Sequence, residues 1–100
     1  MRAWVVKELG DPSEVLHMEE LPKPQPGSGE VLIKVEAVAL NFFDILLCQG
    51  KYQEKPSLPF TPGAEISGTI TSVGEGVSLK AGQRVVATPP LPSGGLAEWV

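Results

Sequence analysis

Hydrophobic and polar positions alternate most cleanly along residues 30–40 (EVLIKVEAVAL), where Val31, Ile33, Val35 and Ala37 fall on one face and Lys34 and Glu36 on the other. That period of two predicts a half-buried strand. The segment 2–7 (RAWVVK) is β-branched and aromatic and predicts a first strand, with a weaker one over 15–20 (VLHMEE) after the turn residues Gly10 to Ser13. Further strands are expected over 64–73, over 83–88 and from Leu96 to Val100, separated by glycine turns at 74–76 and 80–82 and by the proline-rich loop 89–95. Pro22, Pro24 and Pro26 stand at alternate positions, so 21–29 is an extended surface connection that neither a helix nor a central strand accepts.

One segment breaks the strand pattern. Asn41 is a good N-cap for 42–49 (FFDILLCQ), Asp44 follows three residues later in a capping-box arrangement, and Gly50 is placed to stop the helix. The sum is about six short strands and one short helix, with no helix between most strands, which predicts a mainly β, antiparallel barrel or sandwich rather than a parallel α/β sheet.

Composition narrows the function. One hundred residues suit one domain. The net charge of −4 is spread along the chain without a Lys/Arg cluster, so nucleic-acid binding is not expected. No apolar stretch approaches a membrane span, and no secretory segment opens the chain. Cys48, the single cysteine, excludes an internal disulfide and a cysteine-built zinc site. Together these features point to the cytoplasm.

The chemistry-bearing stretch begins at Gly63-Ala64-Glu65-Ile66-Ser67-Gly68 and continues to Gly74 and Val77. This spacing resembles the G-H-E-x-x-G-x-x-x-x-x-G-x-x-V pattern of zinc-containing alcohol dehydrogenases in the medium-chain dehydrogenase/reductase superfamily. The histidine of that pattern, a zinc ligand in the family, is Ala64 here, and alanine has no donor atom. The family's ligand cysteine, in C-x-x-D before the helix, is replaced by Asn41 in Asn41-Phe42-Phe43-Asp44, a poor zinc ligand. Gly82-Gln83-Arg84-Val85 runs on to Gly94-Gly95-Leu96-Ala97-Glu98-Trp99-Val100 without the four-cysteine lobe that the zinc enzymes insert.

What remains resembles the zinc-free quinone oxidoreductases, the zeta-crystallin-like branch. It is carried by Leu40-Asn41-Phe42-Phe43-Asp44, by Gly50-Lys51-Tyr52 and by Leu58-Pro59-Phe60-Thr61-Pro62-Gly63-Ala64-Glu65, with Pro26-Gly27-Ser28-Gly29-Glu30-Val31 earlier in the chain. The resemblance covers essentially all of residues 1–100. It implies a GroES-like, partly open antiparallel β-barrel with one or two short helices, forming the N-terminal substrate-side domain. A Rossmann domain follows in the family, and no G-x-G-x-x-G fingerprint of one occurs here.

By that resemblance the whole protein reduces quinones or α,β-unsaturated carbonyls with NADPH, without zinc, and is a homodimer, and this chain alone is inactive. The resemblance also implies polar catalytic roles for Asn41 and Tyr52, with Phe42, Phe43, Asp44, Ile45, Leu46 and Tyr52 bordering the cofactor. The residues themselves allow plainer roles. Asn41 can cap the helix with its oxygen and keep its amide nitrogen free. Asp44 can serve only the helix N-terminus. Adjacent helix positions cannot face the same way, so one of Phe42 and Phe43 is expected in the core and the other in the cleft. Glu65 is expected to be structural, His17 exposed, Cys48 buried and inert, and Gly63, Gly68 and Gly74 to mark tight turns or close approaches. Two alternatives stay open: an enoyl-thioester reductase domain on the same scaffold, and a non-enzymatic GroES-like binding module, for which the proline-laden 51–62 loop is a poor co-chaperonin loop.

Overall fold

The computed structural model describes residues 1–100. Five strands and two short helices follow in the order β1 (Arg2–Val6), α1 (Pro12–Val15), β2 (Leu16–Glu20), β3 (Val31–Ala39), α2 (Phe42–Gln49), β4 (Glu65–Val73) and β5 (Arg84–Ala87). The one-turn helix α1 replaces what the sequence presents as a plain turn. Asp11 caps it by accepting from the Ser13 N–H at 2.9 Å, and Pro12 sits in the first turn, where its missing N–H costs nothing. No helix is long and apolar enough to cross a membrane.

Two antiparallel sheets form, β1-β2 and β3-β4-β5. The 96–100 segment joins them. The Trp4 N–H donates to the Leu96 carbonyl at 2.8 Å, and the Glu98 N–H donates to the Arg2 carbonyl at 3.1 Å. On the other edge, the Val35 N–H donates to the Glu98 carbonyl at 3.0 Å, and Val100 exchanges both backbone bonds with Ile33 at 2.7 and 3.0 Å. The strand sequence around the molecule is therefore β2, β1, 96–100, β3, β4, β5. The strands at its two ends, β2 and β5, do not pair with each other. This is the partly open antiparallel barrel expected from the resemblance.

The face of β3 differs from the simple alternation. Val35 pairs with Gly68 but Ala37 pairs with Ser67, so Glu36 is an extra residue on β3. Such a bulge shifts every later side chain to the other face. Ala37 consequently points to solvent, and Val38 joins Val31, Ile33 and Val35 against the core around Ile66 and Ile70. A second core lies under α2, where Val6, Val15, Leu47, Cys48 and Phe60 pack together, with Phe43, Leu16 and Leu91 at its margin. Fully burying Phe60 and Leu47 contributes about 1.5–3 kcal/mol each.

Two glycines are required by the packing. A Cβ at Gly68 would overlap the Lys34 carbonyl oxygen across the β3-β4 pair and come 2.7 Å from Ile33 Cγ2. Gly63 has φ +104°, a conformation that disfavours any side chain, and a Cβ there would lie 2.8 Å from the Leu96 nitrogen.

Candidate active-site cleft

Strand β3 runs out at Ala39, and the chain stays extended through Asn41 (φ −124°, ψ 164°) before α2 begins at Phe42. The start of the helix is fixed by Asp44. This carboxylate is only 5% exposed, and both oxygens are engaged: Oδ2 accepts from the Asn41 N–H at 3.0 Å and Oδ1 from the Gly63 N–H at 2.9 Å. Gly63 in turn accepts from the Gly95 N–H at 2.8 Å, while the Pro62 carbonyl accepts from the Leu96 N–H at 3.0 Å. One buried side chain thus ties the head of α2 to the 60–63 turn, and through it to the 93–96 loop. The opposite end of α2 closes at Gly50 (φ +70°), where the Lys51 N–H donates to the Leu46 carbonyl at 2.9 Å.

Helical geometry then sorts the side chains. Phe43, Asp44, Leu47 and Cys48 face inward, whereas Phe42 (71% exposed) and Ile45 face out beside the exposed Leu40. Of the two adjacent phenylalanines, Phe43 packs against the core and Phe42 is the exposed one. Leu40, Asn41, Phe42 and Ile45, with Pro62 and Leu96 behind them, line a hollow of about 350 Å³. Asp44 and Cys48 reach its floor. Burial pushes the Cys48 thiol pKa up, and the neighbouring Asp44 charge adds to the effect, so the sulfur is held as an unreactive thiol.

Of the residues that the sequence nominates, the structure gathers Asn41, Phe42, Asp44 and Ile45 around this hollow and leaves Phe43, Leu46 and Tyr52 outside it. The Tyr52 ring meets Phe43 edge to face, with centroids 4.6 Å apart and planes at 87°, so Tyr52 is anchored on the inward phenylalanine and remains exposed. Leu46 is half-buried.

The Asn41 amide nitrogen is not free, contrary to the reading from the sequence. The Asp44 N–H bonds to the Asn41 backbone carbonyl at 2.9 Å, and the Asn41 Nδ2 donates to Glu65 Oε2 at 3.3 Å. Sequence reasoning missed this partnership because 24 residues separate the two. It follows from the β3-β4 register, in which Ala39 pairs with Glu65 and brings the first residue of β4 beside the head of α2. Glu65 lines a second, larger hollow of about 590 Å³ on the sheet, with Ala37, Val38, Ile66, Val86 and Ala87. The Asn41–Glu65 bond thus links a residue of one hollow to a residue of the other. Ala64 is half-buried next to Glu65, and nowhere do three or more His, Cys, Asp or Glu side chains gather closely enough to hold a metal ion.

Residues 27–98 match the alcohol dehydrogenase GroES-like domain. The chain is 43% identical over 100 residues to a rat protein named quinone oxidoreductase, covering 99% of this chain and 30% of that one. A mycobacterial structure described as complexed with NADPH superimposes with a TM-score of 0.84 at 42% identity, over 99% of this chain and 30% of its own. The human synaptic vesicle membrane protein VAT-1 homolog-like protein superimposes with a TM-score of 0.91 at 35% identity, over 100% of this chain and 32% of its own. The chain therefore spans about 30% of the length of the rat relative. Fold and relatives agree, and the chain belongs to the alcohol dehydrogenase GroES-like domain family, in its quinone oxidoreductase-like branch.

Proposed function

We propose that this chain forms the substrate-side wall of a zinc-independent, NADPH-dependent reductase of quinones or other α,β-unsaturated carbonyls. The observation that carries the reading is the exposed apolar rim of Leu40, Phe42 and Ile45 beside the polar Asn41, over an open hollow whose other polar side chain, Asp44, is spent on backbone N–H groups. A planar ring is the ligand that such a rim suits, since flat apolar surface is covered while one polar group sets orientation. The names of the rat relative and of the NADPH-bound mycobacterial structure support the same chemistry.

NADPH supplies the hydride when bound. The residues of this chain present and shield the reacting rings. Phe42 and Leu40 exclude water from one side, Asp44 holds the head of α2 still, and Tyr52, steadied by Phe43, offers a phenol O–H at the outer margin. Neither Ala64 nor Asn41 offers the donor set of a zinc site, which supports a reaction that proceeds without a Lewis acid. The dinucleotide phosphates need glycine-rich turns at helix N-termini that these residues do not provide, so the isolated chain is expected to turn nothing over and to bind NADPH weakly.

The test is the oxidation of NADPH by the intact gene product with a quinone, followed at the nicotinamide absorbance, with and without a chelator, and with an enoyl thioester in parallel. Turnover of the quinone that survives chelation is expected. Loss of activity on chelation would overturn the zinc-free mechanism, and a strong preference for the thioester would overturn the substrate class.

A further inference from the structure

We infer that Leu16, seated beside Pro12, is the specificity-determining residue of the hollow at the head of α2, and that it restricts the ligand to compact quinones of one or two fused rings. The inference deepens the proposal above and rests on it for the chemistry of the ligand. The wall itself rests only on geometry.

The hollow has two kinds of wall. Leu40, Phe42 and Ile45 form one. All three are exposed, so their side chains can turn between rotamers and yield to what enters. Pro12 and Leu16 line the same hollow from α1 and from the first residue of β2. Neither yields in that way. The pyrrolidine ring of Pro12 fixes its own backbone, in a turn capped by Asp11. Leu16 is half-buried and packs on the core that contains Val6, Val15 and Leu47. Its N–H donates to the Pro12 carbonyl, and its register in the β1-β2 pair sets it across from Val6. The first of these ties joins the two wall residues to each other. Before them in the chain, the Gly10 N–H donates to the Cys48 carbonyl at 2.8 Å. That bond fastens the entrance of α1 to the last turn of α2, so the wall cannot swing away from the helix.

A mobile wall decides how well a ligand is covered, whereas a packed wall decides what is shut out. At about 350 Å³ the hollow stands near the lower end of the ~300–1,000 Å³ usual for small-molecule sites. A third fused ring would have to displace Leu16, and moving Leu16 disturbs the core on which it rests. Pro12 and Leu16 offer no hydrogen-bond donor, so this wall selects by size and not by polarity.

The experiment measures kcat/KM of the intact gene product, with NADPH, for a benzoquinone, a naphthoquinone and phenanthrenequinone. Wild type is compared with Leu16→Ala, with the milder Leu16→Val and with Val85→Ala. Val85 packs on the other core and lines neither hollow, so its variant carries the cost of a trimmed side chain without touching the wall. In Leu16→Ala the ratio of kcat/KM for phenanthrenequinone to that for benzoquinone is expected to rise at least roughly tenfold, through a lower KM for the larger quinone. Leu16→Val is expected to move the ratio the same way by less, and Val85→Ala to keep the wild-type ratio. A ratio that moves equally in the Leu16 and Val85 variants, or in neither, would overturn the wall. A second measurement needs no turnover: the 13C-methyl leucine spectrum of wild type during titration with naphthoquinone. The Leu16 methyl signals, identified by their loss in the Leu16 variants, are expected to shift, and unmoved signals would overturn the wall. Shifted Leu16 signals in a wild-type protein that reduces no quinone would support the wall and overturn the functional reading instead.

Discussion

Replacing Asp44 tests the latch that sets the cleft. Each of its oxygens accepts one backbone N–H, at 3.0 Å from Asn41 and 2.9 Å from Gly63, and the side chain is 5% exposed. Asp44→Asn keeps the shape but turns one oxygen into an NH2 group facing an N–H. One hydrogen bond to a charged acceptor is lost, worth about 1.5–3 kcal/mol, and a buried donor is left without a partner. The two consequences overlap, and the expected destabilisation is roughly 2–4 kcal/mol. Against a total of about 5–15 kcal/mol for a domain, that is a large fraction. The melting temperature should fall by roughly 10–20 °C for a chain of this size. Urea unfolding followed by Trp4 and Trp99 fluorescence measures it, with an unchanged m-value showing that the same surface is exposed. Ile45→Ala, on the outward face of the same helix, is the control and should stay within about 0.5 kcal/mol. If Asp44→Asn also stays within about 0.5 kcal/mol of wild type, the latch does not hold the head of α2 and the reasoning fails.

Gly68→Ala forces a Cβ into the Lys34 carbonyl and should destabilise by about 2–3 kcal/mol, or prevent folding, as a thermal melt would show. Phe42→Ser removes a side chain that is 71% exposed, so stability should hold within about 0.5 kcal/mol while kcat/KM for a quinone falls about tenfold. Cys48 should resist a chromogenic disulfide reagent until the protein is unfolded. Because its pKa is raised in the folded state, by burial first and by the Asp44 charge second, its contribution is fully present below the ordinary thiol pKa of about 8.5. That contribution is lost as pH rises toward the folded-state value. Cys48→Ala should remove this alkaline loss, and equal alkaline sensitivity in both proteins would assign it to other groups.

The strands and α2 were legible because their signals are local. Alternation marks β3, and Asn41, Asp44 and Gly50 punctuate α2 at the residues where it starts and stops. The inward and outward assignment of Ala37 and Val38 was not legible, because the bulge at Glu36 depends on the β4 partner and not on β3 itself. The one-turn α1 escaped because four residues are too few for periodicity to register. At the site, helical spacing separated Phe42 from Phe43 without saying which is exposed, and the apolar run around Cys48 indicated its burial. The second bond of Asp44, to Gly63, and the grip of Glu65 on Asn41 follow only from strand register, which brings together residues 19 and 24 positions apart.

The segment 96–100 also determines the order in which the molecule can assemble. The pairs β1-β2 and β3-β4 each form from nearby stretches of chain, but the segment between them is made after all four strands and must reach back to Arg2, 96 positions before Glu98. Such a contact returns nothing until the entropy of closing the long loop has been met. On the ribosome, β1 and β3 would each wait with an unpaired edge, the kind of edge that recruits chaperones or neighbouring chains. The residues that complete the barrel thus also end its most aggregation-prone interval.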